Sequence, residues 1–239
     1  METAEKEQKT KKSKKNATIT VKANKKGRHV MKFLNVLRIF VLPIVRIIKP
    51  FRFYGNRKVK DGACVYVINH YALLDPAYAV ATTWEGIHFV AKRENFEMPI
   101  IGWVARRAKT ISANRDGNDV RALLDCFKCL KNNEKIAIFP EGTRNKTSEP
   151  LLPFKHGAAA IAIRAKAPIV LITSYKKPRF FRCTHVLISD PFELTEYYDR
   201  KLTEAELAEV DETLRNKMLK MREDHTKYLE NKKNKKRKA

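Results

Sequence analysis

The chain has 239 residues, 44% apolar and 32% charged, which suits one globular domain of ordinary α/β size with appendages and excludes a chain too small to bury a core. Its net charge of +24 lies mostly at the ends, since residues 1–60 hold 18 Lys or Arg against 3 Asp or Glu and residues 231–239 hold 6 against none. Basic ends on a nearly neutral centre predict a polyanionic partner, either nucleic acid or an anionic membrane face.

Residues 1–27 carry nine lysines and few apolar side chains, which predicts a disordered basic arm. Residues 28–50 are mostly apolar, and on a helix their polar side chains fall within an arc of about 120°. That polar set is Arg28, Lys32, Asn35, Arg38, Arg46 and Lys49. A narrow basic stripe against a broad apolar face predicts a helix lying in a membrane interface, its cations reaching the headgroups and Pro43 bending it. A buried helix of the domain and a membrane-spanning anchor stay as alternatives.

From residue 51 onward, short apolar segments rich in β-branched residues alternate with segments of helical spacing. The predicted strands are Ala63–Ile68, Ile87–Ala91, Thr110–Ala113, Ile136–Phe139, Ile169–Thr173 and Cys183–Ile188. The predicted helices cover about residues 71–84, 95–107, 117–132 and 154–166. The alternation predicts an α/β domain over residues 51–200, with a largely parallel central sheet flanked by helices.

Two further segments follow that domain. Residues 201–230 open on the capping-box pattern Thr203-Glu204-Ala205-Glu206 and predict a long polar helix. Six of the residues in 231–239 are Lys or Arg, which predicts a disordered tail.

The four cysteines are scattered and no signal peptide is visible, which favours a reducing, cytosol-facing location. Cys126 and Cys129 form a C-x-x-C one helical turn apart, but no second pair supplies zinc spacing. Packing is therefore the favoured interpretation, with a metal or redox role as the alternative. There is no Walker-type phosphate loop, nucleophile elbow or histidine cluster with metal spacing, so we expect neither a cofactor nor a metal.

The first polar run directly follows an apolar strand and reads Asn69-His70-Tyr71-Ala72-Leu73-Leu74-Asp75. In an α/β fold such a position lies at the ligand crevice. A histidine is a ready general base at neutral pH, and a carboxylate can hold its Nδ1–H so that Nε2 is free to take a proton. On a continuous helix the two side chains would point about 140° apart, so they can meet only if a turn intervenes. The alternative makes Asp75 a helix N-cap and His70 an incidental loop residue.

The second polar run follows the predicted strand Ile136–Phe139 and reads Pro140-Glu141-Gly142-Thr143-Arg144. A Pro-x-Gly turn at a strand end exposes backbone N–H groups, and Arg144 suits bidentate phosphate contact. Taken alone, an ordinary surface turn with a solvated ion pair remains the alternative.

Taken together, His-x4-Asp and Phe-Pro-Glu-Gly-Thr-Arg resemble the paired signatures of the glycerolipid acyltransferase family, whose best-known members convert lysophosphatidic acid to phosphatidic acid. Lys92 with the segment 98–103 resembles the block ahead of the family's second motif. The segment 111–115 resembles that motif itself, with Asn114 where an Asp is usual. The segments 153–157 and 167–170 resemble the later blocks. The resemblance covers about residues 60–175.

The resemblance implies that His70 removes the proton of an acceptor hydroxyl as that oxygen attacks an acyl thioester, while Asp75 fixes the tautomer and stabilises the imidazolium. It also implies a set of substrate-binding residues. Those residues are Glu141, Gly142, Thr143 and Arg144, with Arg115 as a second phosphate contact and Lys92 near the oxyanion or the phosphates of the donor.

The implied reaction moves an acyl group from acyl-ACP or acyl-CoA to the sn-2 hydroxyl of 1-acyl-glycerol 3-phosphate, on the cytoplasmic face of a membrane with anionic lipids. One alternative keeps the chemistry and takes glycerol 3-phosphate, another lysophospholipid or a lyso-aminolipid as acceptor. Another is a non-catalytic, basic nucleic-acid-binding protein, but the nearly neutral centre argues against a specific nucleic-acid partner.

Overall fold

A computed structural model gives the structure of residues 32–56, 62–114, 119–155 and 157–238. The predicted basic arm, residues 1–27, lies outside these described residues. The first described element is helix α1, residues 32–48, which is π-helical over Leu37–Val41 and α-helical again over Leu42–Ile48. The change of hydrogen-bonding pattern falls just before Pro43, a residue that cannot donate a backbone hydrogen bond.

In the described part of the chain, seven strands form one sheet. They are β1 (Phe51–Gly55), β2 (Cys64–Ile68), β3 (Ile87–Lys92), β4 (Ile111–Ala113), β5 (Lys135–Ile138), β6 (Ile169–Ser174) and β7 (Thr184–Ile188). Their order across the sheet is β1-β7-β6-β2-β5-β3-β4, and every pairing is parallel except that between β6 and β7. The predicted α/β class and largely parallel sheet are confirmed. Strand β1 is an addition that the sequence did not predict.

The remaining helices connect and cover the strands. They are α2 (Pro76–Val80), α3 (Pro99–Arg107), α4 (Val120–Lys131), α5 (Ala158–Ala165) and α6 (Glu204–Lys238). Helix α2 is shorter than the predicted 71–84 because the chain preceding it is taken up by a turn. At the start of α6, Thr203 and Glu206 bond reciprocally as the predicted capping box, the Glu206 carboxylate accepting from the Thr203 backbone at 2.8 Å.

The prediction of a disordered tail is wrong for residues 231–238, because α6 continues without a break to Lys238. Lysine and arginine are good helix formers, and no Gly or Pro interrupts the segment. Cations in the last turns also interact favourably with the helix dipole.

The sheet separates two apolar layers, since alternate residues of each strand face opposite sides. On one face, Val65, Val67 and Ile136 pack in the layer that holds α4, α5 and α6. On the other face, Tyr66 and Ile68 pack with residues of α1 and α2. Every residue of β2, β5 and β6 is buried, as expected for parallel strands covered on both faces.

Helix α1 packs against the domain through the buried side chains of Leu34 and Val45, and it also buries Arg38 of the predicted polar stripe. Arg38 is 6% exposed and donates to the carbonyls of Val80 at 3.0 Å and Glu85 at 2.7 Å. Burial lowers its pKa to about 10. The expectation that Arg38 reaches lipid headgroups is therefore wrong, because the orphan carbonyl at the end of α2 provides a partner for the guanidinium inside the protein.

The broad apolar face of α1 is left exposed. Its exposed side chains are Val36, Ile39, Phe40, Val41, Ile44 and Ile47, between 43% and 71% accessible. Trp103 of α3 is 51% exposed and its ring lies 5.8 Å from that of Phe33. Among the described residues, no helix combines the length and the hydropathy needed to cross a bilayer.

Helix α6 docks on the sheet through a cluster of rings. His225 Nε2 lies 2.8 Å from His185 Nδ1, and the two imidazoles are surrounded by Tyr54, Tyr175 and Tyr228. Burial lowers the pKa of both histidines, and each is lowered further by neighbouring cations or by the other imidazole. The contact needs a lone pair on one of the two nitrogens, so it cannot form when both rings are protonated.

We expect this pair to make the fold less stable in acid. The folded state holds fewer protons than the unfolded chain, whose histidines titrate near 6.5, so the stabilisation is complete above that pH and is lost as the pH falls below it. The cations Arg52 of β1 and Lys232 of α6 lie near His185 and also lower its pKa. The urea midpoint should fall between pH 7.5 and pH 5.5 by more in the wild type than in His225→Phe. Tyr228→Phe, which keeps both imidazoles, should behave like the wild type, and an equal fall in all three proteins would contradict the prediction.

Candidate active site

The turn after β2 brings His70 and Asp75 together. Asp75 Oδ2 accepts hydrogen bonds from the backbone N–H groups of Tyr71 at 2.6 Å and Ala72 at 2.7 Å, and it lies 3.0 Å from His70 Nδ1. The carboxylate thus closes the turn through its own preceding residues, as Asp side chains commonly do. Asp75 makes no side-chain capping bond to α2, so the turn, and not the helix start, uses its carboxylate.

The surroundings of the pair suit a proton transfer. The Asp75 side chain is 1% exposed and that of His70 is 19% exposed. The His70 ring rests against Phe139, with ring centroids 4.3 Å apart. With Nδ1 directed at the carboxylate, Nε2 is the nitrogen left to accept a proton. An imidazole whose tautomer is fixed by a buried carboxylate is chemically suited to act as a general base.

The second polar run is hydrogen-bonded to the first. Glu141 is 1% exposed; its Oε1 accepts from the backbone N–H of His70 at 2.7 Å and its Oε2 from that of Leu152 at 2.9 Å. The backbone N–H of Asn145 donates to the His70 carbonyl at 2.6 Å. Since β2 and β5 are adjacent and parallel, their carboxyl ends deliver both runs to the same edge of the sheet.

Glu141 therefore occupies a different place from the substrate contact that the sequence predicts. Both of its oxygens already accept backbone hydrogen bonds, and a carboxylate repels a phosphate. Burial raises the pKa of Glu141, the bonds from His70 and Leu152 oppose that rise, and Asp75 adds to it. In the structure Glu141 holds the backbone of His70.

The second run becomes more exposed after Glu141, and Gly142 is half-buried. Gly142 has a φ of 60°, a left-handed value that glycine adopts without strain. Thr143 and Arg144 are exposed. Lys92 is half-buried at the carboxyl end of β3, in register with Ala113 of β4. Arg115, the second predicted phosphate contact, lies outside the described residues.

Other side chains at this edge carry contacts that the sequence did not predict. Asn69 is buried and its side-chain oxygen accepts from the backbone N–H of Ser174 at 2.8 Å, which ties β2 to β6. Arg222 of α6 donates to the Tyr71 hydroxyl at 3.0 Å and to the Ser174 carbonyl at 2.7 Å. The stem of Lys155 lies against Gly142, which adds a cation beside the second run. Asn69 stands next to His70 in the sequence and could have been singled out; Arg222 is 151 residues from Tyr71 and has no local signal.

Comparison with known proteins gives the same family throughout. The model of the family described as acyltransferase matches residues 50–174, more than half of the chain. A chloroplastic 1-acyl-sn-glycerol-3-phosphate acyltransferase from Brassica napus is 37% identical over 122 residues, covering 49% of this chain and 34% of that protein. One from Helicobacter pylori is 39% identical over 120 residues, covering 48% of this chain and 51% of that protein. The chain thus spans about a third to a half of the length of these relatives.

A solved structure shares the fold. The crystal structure of the 1-acyl-sn-glycerophosphate (LPA) acyltransferase PlsC from Thermotoga maritima superposes with a TM-score of 0.56 at 22% identity, covering 78% of this chain and 75% of that one. At that identity the likeness establishes the architecture.

Proposed function

Because this chain belongs to the acyltransferase family, we propose that it moves a fatty acyl group from a thioester donor to the sn-2 hydroxyl of 1-acyl-glycerol 3-phosphate, forming phosphatidic acid. The observation that carries the proposal is the contact of 3.0 Å between His70 Nδ1 and a buried Asp75 oxygen at the carboxyl edge of the sheet. The names of the relatives, all 1-acyl-sn-glycerol-3-phosphate acyltransferases, support the choice of acceptor.

In the proposed reaction, His70 Nε2 takes the proton of the acceptor hydroxyl as its oxygen attacks the thioester carbonyl. The negative charge of Asp75 stabilises the imidazolium that forms. The tetrahedral intermediate then expels the thiolate, which takes the proton from His70 and leaves as the thiol. A thioester is already activated and the base is present, so no acyl-enzyme intermediate is required.

Cations beside the second run are the proposed partners of the acceptor phosphate. Arg144 is exposed and directly precedes Asn145, whose backbone N–H donates to the His70 carbonyl. Arg115 stays a proposed second contact. Lys92 is proposed to meet the oxyanion or the phosphates of the donor, which would be acyl-ACP or acyl-CoA.

We further propose that the exposed apolar face of α1 lies in a membrane interface carrying anionic lipids, on the cytoplasmic side. Phe180 and Phe181 extend that face, since the Phe181 N–H donates to the Ile48 carbonyl at 2.8 Å and both rings are at least 65% exposed. An apolar surface of this kind beside basic residues is typical of interfacial helices. The acceptor is a lipid, so such a position would bring it to the site.

An acceptor panel tests the proposed function. Purified full-length protein would be mixed with acyl-CoA or acyl-ACP, and release of free thiol would be measured with lysophosphatidic acid, glycerol 3-phosphate, lysophosphatidylcholine or no acceptor. We expect release that depends on lysophosphatidic acid and yields phosphatidic acid. Equal rates with glycerol 3-phosphate, or no acceptor-dependent release from either donor, would overturn the proposal.

Membrane binding has its own test. The double variant Ile44→Glu/Ile47→Glu should cosediment at least about tenfold less with vesicles of phosphatidylglycerol and phosphatidylcholine, because each buried isoleucine contributes about 1.5–3 kcal/mol. The control is Val120→Glu/Leu124→Glu. It adds the same two negative charges at exposed apolar residues of α4, which lies on the opposite face of the sheet. Equal losses in both variants would point to charge alone and contradict a specific role for α1.

A further inference from the structure

A cluster of side chains that could coordinate a metal ion lies away from the edge of the sheet that holds His70. His88 of β3, Cys129 of α4 and Glu134 just before β5 bring one nitrogen, one sulfur and one carboxylate oxygen within 4.8 Å of one another. β3 and β5 pair in register from Ile87 and Lys135, their first residues. The cluster therefore lies toward the amino ends of these strands, whereas His70 follows the carboxyl end of β2.

The His88 side chain is oriented as a metal ligand usually is. It is 5% exposed, and Nδ1 lies 3.0 Å from the carbonyl of Lys109. A carbonyl can only accept, so Nδ1 carries the hydrogen, and in the neutral ring Nε2 has the lone pair. An imidazole that donates one N–H to a backbone carbonyl while its other nitrogen faces outward is the usual arrangement behind a metal–histidine bond.

The other nitrogen has no satisfactory partner. His88 Nε2 is buried and makes no hydrogen bond of acceptable geometry to any residue that the structure describes, although Glu134 Oε2 lies 3.3 Å away. Two lone pairs facing each other in a buried site repel each other. Either a proton or a cation between the two atoms would remove that repulsion.

The spacing suits a cation. Zinc binds imidazole nitrogen and carboxylate oxygen at about 2.0–2.2 Å, so two such ligands at a tetrahedral zinc are about 3.4 Å apart. The observed 3.3 Å between Nε2 and Oε2 agrees with this value. The ligand atoms, Cys129 Sγ included, lie within 4.8 Å of one another, so the sulfur needs to shift by about 1 Å at most to reach zinc–sulfur distance.

We propose that His88, Cys129 and Glu134 bind one zinc-class divalent cation, with water as the fourth ligand. A nitrogen, sulfur and oxygen donor set suits zinc better than magnesium or calcium, which take oxygen ligands. Cys126, the other member of the C-x-x-C, belongs to the apolar core, where burial raises the pKa of its thiol to about 12. The site uses Cys129 with ligands from other elements and joins β3, α4 and the turn into β5.

Metal content and spectroscopy test the proposal without relying on activity. Full-length protein without an affinity tag would be stripped with a chelator, loaded with Zn²⁺ or Co²⁺, desalted and analysed for metal. We expect about one metal per chain and, with Co²⁺, a thiolate charge-transfer absorption that identifies a sulfur ligand. Zn²⁺ should also raise the melting temperature, since it binds the folded state.

Matched variants separate this site from adventitious binding. Cys129→Ser should lose the charge-transfer band and most of the metal, and Glu134→Gln should bind more weakly. Cys183→Ser, which removes an exposed cysteine, should retain both the band and the metal. Failure of the wild type to keep metal, or equal retention by Cys129→Ser, would overturn the proposal and leave an ion pair between a protonated His88 and Glu134.

Discussion

Replacing His70 with alanine is expected to lower kcat for acyl transfer by about 10²- to 10⁴-fold, the usual contribution of a positioned general base. The variant removes the imidazole and leaves the backbone N–H of His70 to donate to Glu141 and its carbonyl to accept from Asn145. The two runs should therefore stay joined. The imidazole is only 19% exposed and packs on Phe139, so we also expect the variant to lose some stability.

The measurement compares initial rates of thiol release at saturating donor, together with urea unfolding of both proteins. Added imidazole should restore part of the activity of the alanine variant, which a variant that has merely lost its fold would not do. Wild-type kcat in a folded His70→Ala protein would contradict the assigned role of His70 while leaving acyl transfer itself possible.

Replacing Asp75 with asparagine should lower kcat by about 10²- to 10³-fold with little change in KM, through loss of charge rather than of geometry. The backbone N–H groups of Tyr71 and Ala72 both point at Oδ2, so the amide oxygen of asparagine must take that place. The amide nitrogen then replaces Oδ1, which is buried and receives no hydrogen bond from the described residues. The turn and the tautomer of His70 are kept, and the negative charge opposite the imidazolium is lost.

Asp75→Ala provides the comparison. It removes the charge and also leaves the two N–H groups without an acceptor, at about 1–3 kcal/mol for each buried group. Urea unfolding should therefore show a clear loss of stability for alanine and a small one for asparagine, while kcat falls in both. Full activity of the asparagine variant would contradict the electrostatic role of Asp75. A loss of stability as large as that of the alanine variant would contradict the proposed orientation of the amide.

The strands buried on both faces could be predicted because their sequences are almost continuously apolar. Strand β1 could not be predicted in this way. It lies at the edge of the sheet, where Arg52 is exposed beside a buried Phe51. Its five residues mix polar and apolar side chains, and such a short mixed segment fits a helix or a loop as well as a strand. The polar runs were placed correctly at strand ends because the buried strands before them were clear.

The contacts within the site were less predictable, because they join residues far apart in the chain. Glu141 lies in a segment whose sequence is typical of a surface turn. Only the pairing of β2 with β5 brings its carboxylate to the backbone N–H of His70. Likewise, the sequence could not say which side chains of the polar stripe on α1 the protein would cover: Arg38 is buried, whereas Lys32 and Arg46 are exposed. The carbonyls that accept from Arg38 come from residues more than 40 positions away.

The antiparallel pairing of β6 with β7 places the end of α1 at the same edge of the sheet as His70. Because β1 runs with β7, the chain leaves α1 and enters β1 beside the carboxyl end of β6, at the level of His70. If both strands ran with the other five, α1 would end at the opposite edge, about 17 Å away for a strand of five residues. In the proposed membrane position, a lysophospholipid would then have to leave the bilayer almost completely. With the reversal, the headgroup of a lysophospholipid bound as proposed would reach the base while its acyl chain stays among the lipids.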